Sequence, residues 1–284
     1  MSYPYLIQGS NIVVVIDNKS HTVTKSHMAY EKIKEAIRAG DWETVRGIVD
    51  PVKTVLNYGA GHVSVQGEKV FWKGQLMNNG LTRRMLQMYE EGFPIEPLVR
   101  FMENLMQNPS FRAVNELYGF LEKNNLPITP DGHFLAYKKV RDDYLDVHSG
   151  TTPNKLAAAW TPEELAKMPI AGGAKNEVQI SVVDGVTVVE MPRNQVNDDQ
   201  NNTCSEGLHF CSEYYLRHFG GARTMILKIN PADVVSIPTD YDNSKGRTCR
   251  YEVVGELGVS AEDAFTQAVQ AGANTAADTL ADEG

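Results

Sequence analysis

The densest group of chemically active side chains in this sequence lies between residues 197 and 212. Two adjacent carboxylates and four amides are followed by two thiols and one imidazole, and Gly207 provides a flexible joint before a strand-like segment. A surface loop has no structural need for thiols and an imidazole together. The pattern therefore indicates a specific role for this segment, without fixing what that role is.

Zinc binding is one chemistry that this segment could support. The candidate ligands are Cys204, His209 and Cys211, with His148 or Cys249 as the fourth. Thiolates and imidazoles are the ligands that zinc prefers, and in a strand over 208–211 the side chains of His209 and Cys211 would face the same side. No closely spaced pair of cysteines accompanies them, so we assign no metal. The alternative is that Cys204 and Cys211 are half-buried small apolar residues.

A catalytic site is a second interpretation of the same region. The candidate acid or base is His148 or His209, the carboxylate is Asp198, Asp199 or Glu252, and the anion-binding group is Arg193, Arg247 or Arg250. Such a set would suit a nucleotide or a phosphorylated substrate, because guanidinium groups match phosphate oxygens. It is loosely similar to small β-rich ADP-ribosyl-transfer-like modules. The alternative is that Arg193, Asp198 and Asp199 form a hydrogen-bonded turn that locks the loop.

Composition limits the class of protein. A chain of 284 residues can bury a core and is long enough for two domains. Its net charge of -9 argues against a protein that coats nucleic acid. Three cysteines fit a reducing cytoplasm better than a disulfide scaffold. No apolar run of about eighteen residues and no secretory signal are present, which predicts a cytoplasmic location.

Hydrophobic periodicity predicts an α+β fold with three parts. Residues 1–125 form an N-terminal module of strands and helices with a helical middle. Residues 126–258 form a β-rich domain with an insertion at about 155–185, and the domain boundary falls near 124–130. Residues 259–284 form an acidic, alanine-rich tail, predicted as a frayed helix around 261–270 followed by disorder.

The strands and helices that must position the candidate residues can be placed in more detail. Strands are expected at 11–17, 21–24, 62–65, 70–72, 133–138, 207–211, 224–229, 234–237 and 251–254. Helices are expected from about residue 30 to Gly40, from Asp41 to 48, and over 81–90, 95–107 and 111–123. The basic run 137–141 alternates along a strand, so we predict that Lys138 and Lys139 belong to a solvated surface.

Several long blocks resemble one known family. They are residues 126–140 with 146–149, residues 191–199, 203–205 and 207–212, and residues 233–238, 240–242 and 247–254, with 101–110 as an earlier match. Together these blocks are similar to the rIIB-like proteins of tailed bacteriophages, the protectors from prophage-induced early lysis. The resemblance covers most of the chain between residues 11 and 256.

The resemblance implies an early phage protein in the cytoplasm of the host bacterium, peripheral to the inner membrane through a partner. The implied partner is a larger rIIA-like protein, and the pair counters exclusion systems of resident prophages and influences lysis timing. A host or prophage defence protein is a further possible partner. Because no motif dictates a reaction, we expect an interaction protein without a cofactor. The alternative is a nucleotide-binding or nucleotide-modifying enzyme with a His, Cys, Asp and Arg site.

Overall fold

The computed structural model describes residues 2–25, 29–49, 63–66, 69–76, 96–124, 126–172, 177–257 and 269–270. Spatial contacts divide the chain into two compact units, residues 1–99 and 100–284. This division reflects the density of contacts within each unit. The predicted domain limits concern independent folding, and they remain a prediction. The fold is α+β, as predicted from the periodicity.

The first unit begins with a three-stranded antiparallel sheet and two helices. The strands are β1 (Tyr5–Gln8), β2 (Asn11–Ile16) and β3 (Lys19–Thr24), and the helices are α1 (Tyr30–Ala39) and α2 (Trp42–Val49). Alternate residues of β2, namely Ile12, Val14 and Ile16, are buried because side chains along a strand point to opposite faces. They pack in one core with Ile33 and Val45 of the two helices.

Both helix ends agree with the expected signals. Gly40 follows α1 with a left-handed φ of 69°, and its N–H caps carbonyls of the last turn. Asp41 then caps α2, since its Oδ1 accepts the backbone N–H of Thr44 at 3.1 Å. The predicted hairpin near residues 62–72 is confirmed as β4 (Val63–Gln66) and β5 (Lys69–Trp72), with β6 (Gln75–Leu76) added. The helix predicted over 81–90 lies outside the described residues.

Two helices, α3 (Glu96–Leu105) and α4 (Phe111–Lys123), precede the large sheet. Their apolar faces are buried, including Phe101, Met102 and Leu117, so the methionine and aromatic residues there are packing residues. In the described part of the chain, no helix combines the length and the apolar character needed to cross a membrane.

The second unit is built on a long antiparallel sheet. Its strands are β7 (Pro127–Ile128), β8 (Phe134–Val140), β9 (Ile170–Ala171), β10 (Gln179–Val183), β11 (Val186–Glu190), β12 (Leu208–Cys211), β13 (Arg223–Ile229), β14 (Val234–Ser236), β15 (Lys245–Thr248), β16 (Arg250–Glu256) and β17 (Val269–Gln270). The main order is β14-β15-β12-β8-β13-β16-β11-β10-β9. The central strand β8 pairs with β13 along its whole length but with β12 at a single position, Tyr137 opposite Cys211.

Helix α4 covers one face of this sheet. Phe210 of β12 packs edge-to-face against Phe120 of α4, with ring centroids 5.8 Å apart, and against Phe134 of β8 at 5.6 Å. Because β12 alternates, His209 and Cys211 face the opposite side, which confirms the predicted arrangement of the strand 208–211. The candidate side chains therefore lie on the face away from α4.

Two segments, the predicted insertion and the acidic tail, differ from the sequence expectation. The insertion contains a short helix, α5 (Pro162–Leu165), in which Thr161 and Glu164 form a capping box. The hairpin of β10 and β11 was not anticipated, and it places residues 179–185 of the predicted insertion within the main sheet. In the acidic tail, Val269–Gln270 pair as a strand with Pro127–Ile128, so the helix predicted for 261–270 is wrong at its last two residues. The remainder of the tail lies outside the described residues.

Candidate functional site

Four polar side chains meet around the strands β8 and β12. Lys138 comes from β8, and Asp146 and His148 come from the turn after it. His209 comes from the adjacent strand β12. The turn is fixed because Val140 and Asp146 form an antiparallel bridge, which returns the chain to the end of β8. We call these four residues the polar cluster.

The centre of the polar cluster is a buried ion pair. Lys138 is 7% exposed, and its Nζ lies 2.7 Å from Asp146 Oδ2. The same Nζ donates to the backbone carbonyl of His209 at 3.3 Å. The prediction that Lys138 belongs to a solvated surface is therefore wrong. A buried lysine needs a partner of opposite charge, and Asp146 supplies it from the following turn.

Asp146 is held in its ionised form by several groups. Its Oδ1 accepts the backbone N–H of His148 at 2.9 Å and of Ser149 at 2.8 Å. Burial alone would raise the pKa of this carboxyl, but Lys138 and the two N–H groups hold the pKa well below its usual range. The carboxyl of Asp146 therefore stays ionised at neutral pH.

His209 is neutral in this environment. Burial, followed by the nearby charges of Lys138 and Arg247, lowers its pKa to about 4. Its Nε2 is buried and has no hydrogen-bond partner among the residues that the structure describes. The ring of His148 lies edge-on to the ring of His209, with centroids 6.4 Å apart, and also packs against Phe219 at 5.2 Å.

Two cavities adjoin the polar cluster, and all four of its residues line both of them. The larger cavity has a volume of about 550 Å³. Side chains with hydroxyl groups line much of it, and they are Ser149, Thr151, Thr152, Ser205 and Tyr251. The narrower cavity has a volume of about 60 Å³ and has aromatic walls that include Tyr215 and Phe219. The larger cavity has the size of a small-molecule site, for which about 300–1,000 Å³ is usual.

The structure does not assemble the candidate zinc ligands. Cys204 is exposed, whereas Cys211 is buried and its Sγ donates to the carbonyl of Tyr137 at 3.4 Å. Burial raises the pKa of Cys211 to about 12 and also raises the pKa of Cys249, which disfavours the thiolates that zinc requires. Among the described residues, no group of three or more His, Cys, Asp or Glu side chains could hold a metal ion.

The arginine candidates bind backbone carbonyls. Arg247 is 1% exposed and donates to the carbonyls of Asn202 at 2.7 Å and Asp199 at 2.6 Å, and to Ser236 Oγ at 3.0 Å. Arg193 donates to the carbonyls of Ala232 and Val234, both at 2.9 Å, and to Asn108 Oδ1 at 2.8 Å. Each of these guanidinium groups therefore ties separate segments of the second unit together. Arg247 also lines the narrower cavity, and Arg250 pairs with Glu190 and Glu252.

The carboxylate candidates lie apart from the polar cluster. The backbone N–H of Asp199 donates to Asn197 Oδ1 at 2.8 Å, and Asp199 Oδ1 accepts the N–H of Asn201 at 3.0 Å. Asp198 belongs to the same turn, and Glu252 forms ion pairs with Lys228 and Arg250. For this loop the structure agrees with the alternative interpretation, a hydrogen-bonded turn.

Gly207 ends this loop in a conformation that favours glycine. Its φ is 143°, and a Cβ at this position would lie 2.9 Å from Val196 Cγ1. The expected flexible joint is therefore a position of close approach between the loop and its neighbour. Gly207 sets the point at which the chain enters β12, and it thereby sets the position of His209 two residues later.

Of the predicted candidates, the structure brings His148 and His209 together and places Cys204, Cys211 and Arg247 on the wall of the narrower cavity. Sequence reasoning missed Lys138 and Asp146 as site residues. One signal could have found them, since a lysine inside an otherwise apolar strand and an aspartate in the next turn form a natural ion pair.

Comparison with known proteins now gives the family. A family model described as "Bacteriophage T4 protein rIIB" matches residues 5–163 and 177–271. Protein rIIB of Enterobacteria phage T4 is 36% identical over 249 residues, which cover 87% of this chain and 70% of that protein. The chain belongs to the rIIB family. The rIIB match includes the whole polar cluster and leaves out 164–176, which lie inside the predicted insertion. No solved structure gave a significant match.

Proposed function

We propose that this rIIB-family chain is an early accessory protein of a phage and acts with an rIIA-like partner of the same phage. Through this contact the pair counters exclusion by resident prophages and adjusts the time of lysis. Membership of the rIIB family supports the role, because the resemblance on which these expectations rest extends over most of the chain. A host or prophage defence protein is the alternative partner.

The observation that supports action by protein contact is the first strand. β1 is at an edge of its sheet, and it leaves apolar side chains in solvent, with Tyr5 52%, Leu6 56% and Ile7 39% exposed. An exposed edge strand presents unpaired backbone groups and can take up a strand or an apolar surface of a partner. Apolar side chains on such an edge are costly in water and are covered when a partner binds.

Co-expression of this chain with the rIIA-like protein tests the proposal. We expect the two to elute together in size-exclusion chromatography, and we expect Leu6→Asp to weaken the complex at least tenfold. The matched control is Val183→Asp, since Val183 is also an apolar strand residue that is 50% exposed, but it lies in the second unit on a strand that has neighbours on both sides. Separate elution of the two unmodified proteins would overturn the partnership.

The biological role is tested by complementation. A phage that lacks its rIIB-family gene is plated on a host that carries an excluding prophage, with this chain supplied from a plasmid. We expect plaques with the unmodified chain and far fewer with Leu6→Asp. We also expect the isolated chain to stay unbound to anionic liposomes and to float with them only when the rIIA-like protein is present.

A second candidate function is nucleotide binding or nucleotide modification. It is favoured by one observation, the larger cavity beside the polar cluster, because concave sites with a few converging polar groups are typical ligand sites. Replacement of His148 by Ala together with His209 by Gln tests it, with circular dichroism as the check on folding. Protection of the phage by the folded double variant at the unmodified level would exclude an enzymatic role.

A further inference from the structure

The larger cavity presents mainly hydrogen-bond acceptors. The hydroxyls of Thr151 and Thr152 both donate to the carbonyl of Gly172, at 3.0 and 2.6 Å, and the hydroxyl of Ser205 donates to Glu206 Oε2 at 3.0 Å. The phenol of Tyr251 donates to Asn154 Oδ1. Carbonyl and carboxylate oxygens can only accept, so these hydroxyl protons are committed to the protein. The lone pairs of the hydroxyl oxygens remain for a ligand that donates.

Neither a phosphate nor an ammonium ion matches the groups that line the larger cavity. The lining holds Lys138 with its counterion Asp146, and one further carboxylate, Glu206, so that it is not positively charged. A phosphate brings negative charge and only acceptor oxygens, which does not match this lining. An ammonium ion supplies donors but has no acceptor for the N–H groups of Lys138.

Lys138 requires an acceptor from the same ligand. Two of its three N–H groups are used, by Asp146 Oδ2 at 2.7 Å and by the carbonyl of His209 at 3.3 Å. The third remains for a ligand. The ligand must therefore donate several hydrogen bonds and accept at least one while carrying no charge at this place. Adjacent hydroxyl groups do both, because each donates once and accepts twice.

We propose that the larger cavity binds a sugar ring through its adjacent hydroxyl groups, with Thr151, Ser205 and Lys138 as the contacting residues. His209 also lines this cavity, and its buried Nε2 has no hydrogen-bond partner among the described residues. A free sugar and the ribose of a nucleoside share this chemistry. The inference rests on the second candidate function only where the sugar is the ribose of a nucleoside.

The probes for the test are D-ribose, adenosine, 2′,3′-dideoxyadenosine, AMP and inorganic phosphate, titrated calorimetrically into the full chain at pH 7. We expect adenosine to bind and its dideoxy analogue to bind at least tenfold more weakly. Binding of D-ribose as well would identify the sugar itself as the ligand, and binding of adenosine without D-ribose would identify a nucleoside.

Other outcomes separate this inference from the nucleotide function. Equal affinity for adenosine and its dideoxy analogue, or binding of AMP and phosphate without adenosine, would overturn the sugar site and leave nucleotide binding in place. Binding by none of the five probes would overturn both.

The residues are tested by the double variant Thr151→Val with Ser205→Ala, which removes two acceptor oxygens and leaves the ion pair intact. We expect about a tenfold loss of adenosine affinity, since each lost hydrogen bond to a neutral group has a modest effect. The matched control is Thr22→Val, an exposed threonine of β3 in the first unit, for which we expect unchanged affinity. Full affinity in the folded double variant would overturn the assignment.

Discussion

The second unit contains two kinds of buried or half-buried cation, and they use their hydrogen-bonding groups differently. Arg193 and Arg247 donate to backbone carbonyls and neutral side-chain oxygens of separate segments, so most of their donors are satisfied within the fold. Lys138 is paired with a carboxylate beside a cavity. The arginines therefore stabilise the architecture, whereas the lysine lies where a ligand can reach it.

This difference helps to distinguish a cation that stabilises the fold from one that is available to a ligand. Each of the two guanidinium groups donates three hydrogen bonds to oxygens of the fold, and the buried Nε of Arg247 has no partner among the described residues. The ion pair of Lys138 and Asp146 lines a cavity and retains a free N–H donor there. Burial alone does not separate the two cases, since Lys138 and Arg247 are both buried.

The largest expected effect comes from breaking the ion pair. Lys138→Met leaves Asp146 buried without its cation, and we expect the free energy of unfolding to fall by about 3–5 kcal/mol. Urea denaturation followed by circular dichroism measures it. The double variant Lys138→Met with Asp146→Leu removes both charges, and we expect it to recover much of the loss.

The same double variant tests whether the Lys138–Asp146 pair differs in role from the arginines. If Lys138→Met alone were as stable as the unmodified chain, Asp146 would not depend on Lys138, and the polar cluster could not be treated as one unit. If the double variant were stable but no longer bound adenosine, the ion pair would belong to the ligand site rather than to the fold.

A smaller loss is expected from the architectural arginine. Arg247→Met removes three hydrogen bonds that hold the carbonyls of Asn202 and Asp199 and the hydroxyl of Ser236, and we expect a loss of about 2–3 kcal/mol. The loop over 197–206 should become sensitive to limited proteolysis. Adenosine affinity should fall by less than tenfold, because Arg247 lines the narrower cavity and not the larger one, and only Ser205 of the proposed contacting residues belongs to the loosened loop. A folded variant that lost adenosine binding would remove the distinction between the two kinds of cation.

The pH dependence of stability tests the environment of His209. Its folded-state pKa of about 4 lies below the ordinary value of 6.5, so between these values the unfolded chain binds the proton and the folded chain does not. The contribution of neutral His209 to the free energy of unfolding is complete above pH 6.5. It is lost as the pH falls towards 4, and the loss amounts to about 1–3 kcal/mol. Denaturation at several pH values measures the slope, and His209→Gln should flatten it. An equal slope in both proteins would show that His209 titrates normally.

The elements were predictable where the signal is local. The alternation over 208–211 placed His209 correctly opposite Phe210, because a strand has a period of two residues. The cap at Asp41 and the left-handed Gly40 were likewise readable, since both depend on neighbouring residues only. The hairpin of β10 and β11 was missed because its place in the sheet depends on pairing with β16, which is distant in sequence.

The candidate site was predictable in residue type but not in its contacts. His148 and His209 were correct candidates, yet the closeness of their rings depends on the single point where β8 and β12 pair. Lys138 is predicted in solvent because strand alternation sends neighbouring lysines to opposite faces, and its partner Asp146 lies beyond the strand. Arg193 and Arg247 are candidates for phosphate binding, and the carbonyls that they bind instead come from 39 to 48 residues away in the sequence.

The smallest expected effect comes from a second lysine–aspartate pair in the same unit. Lys123 and Asp242 form an ion pair in which the side chains are 49% and 70% exposed, so water already solvates both charges. We expect Lys123→Met to change the free energy of unfolding by less than about 0.5 kcal/mol and to leave adenosine affinity unchanged. The substitution is the same as Lys138→Met, and only the surroundings differ. If both variants lost the same free energy of unfolding, burial would not strengthen the Lys138–Asp146 pair. The pair would then give no reason to treat the cavity beside it as a preorganised site.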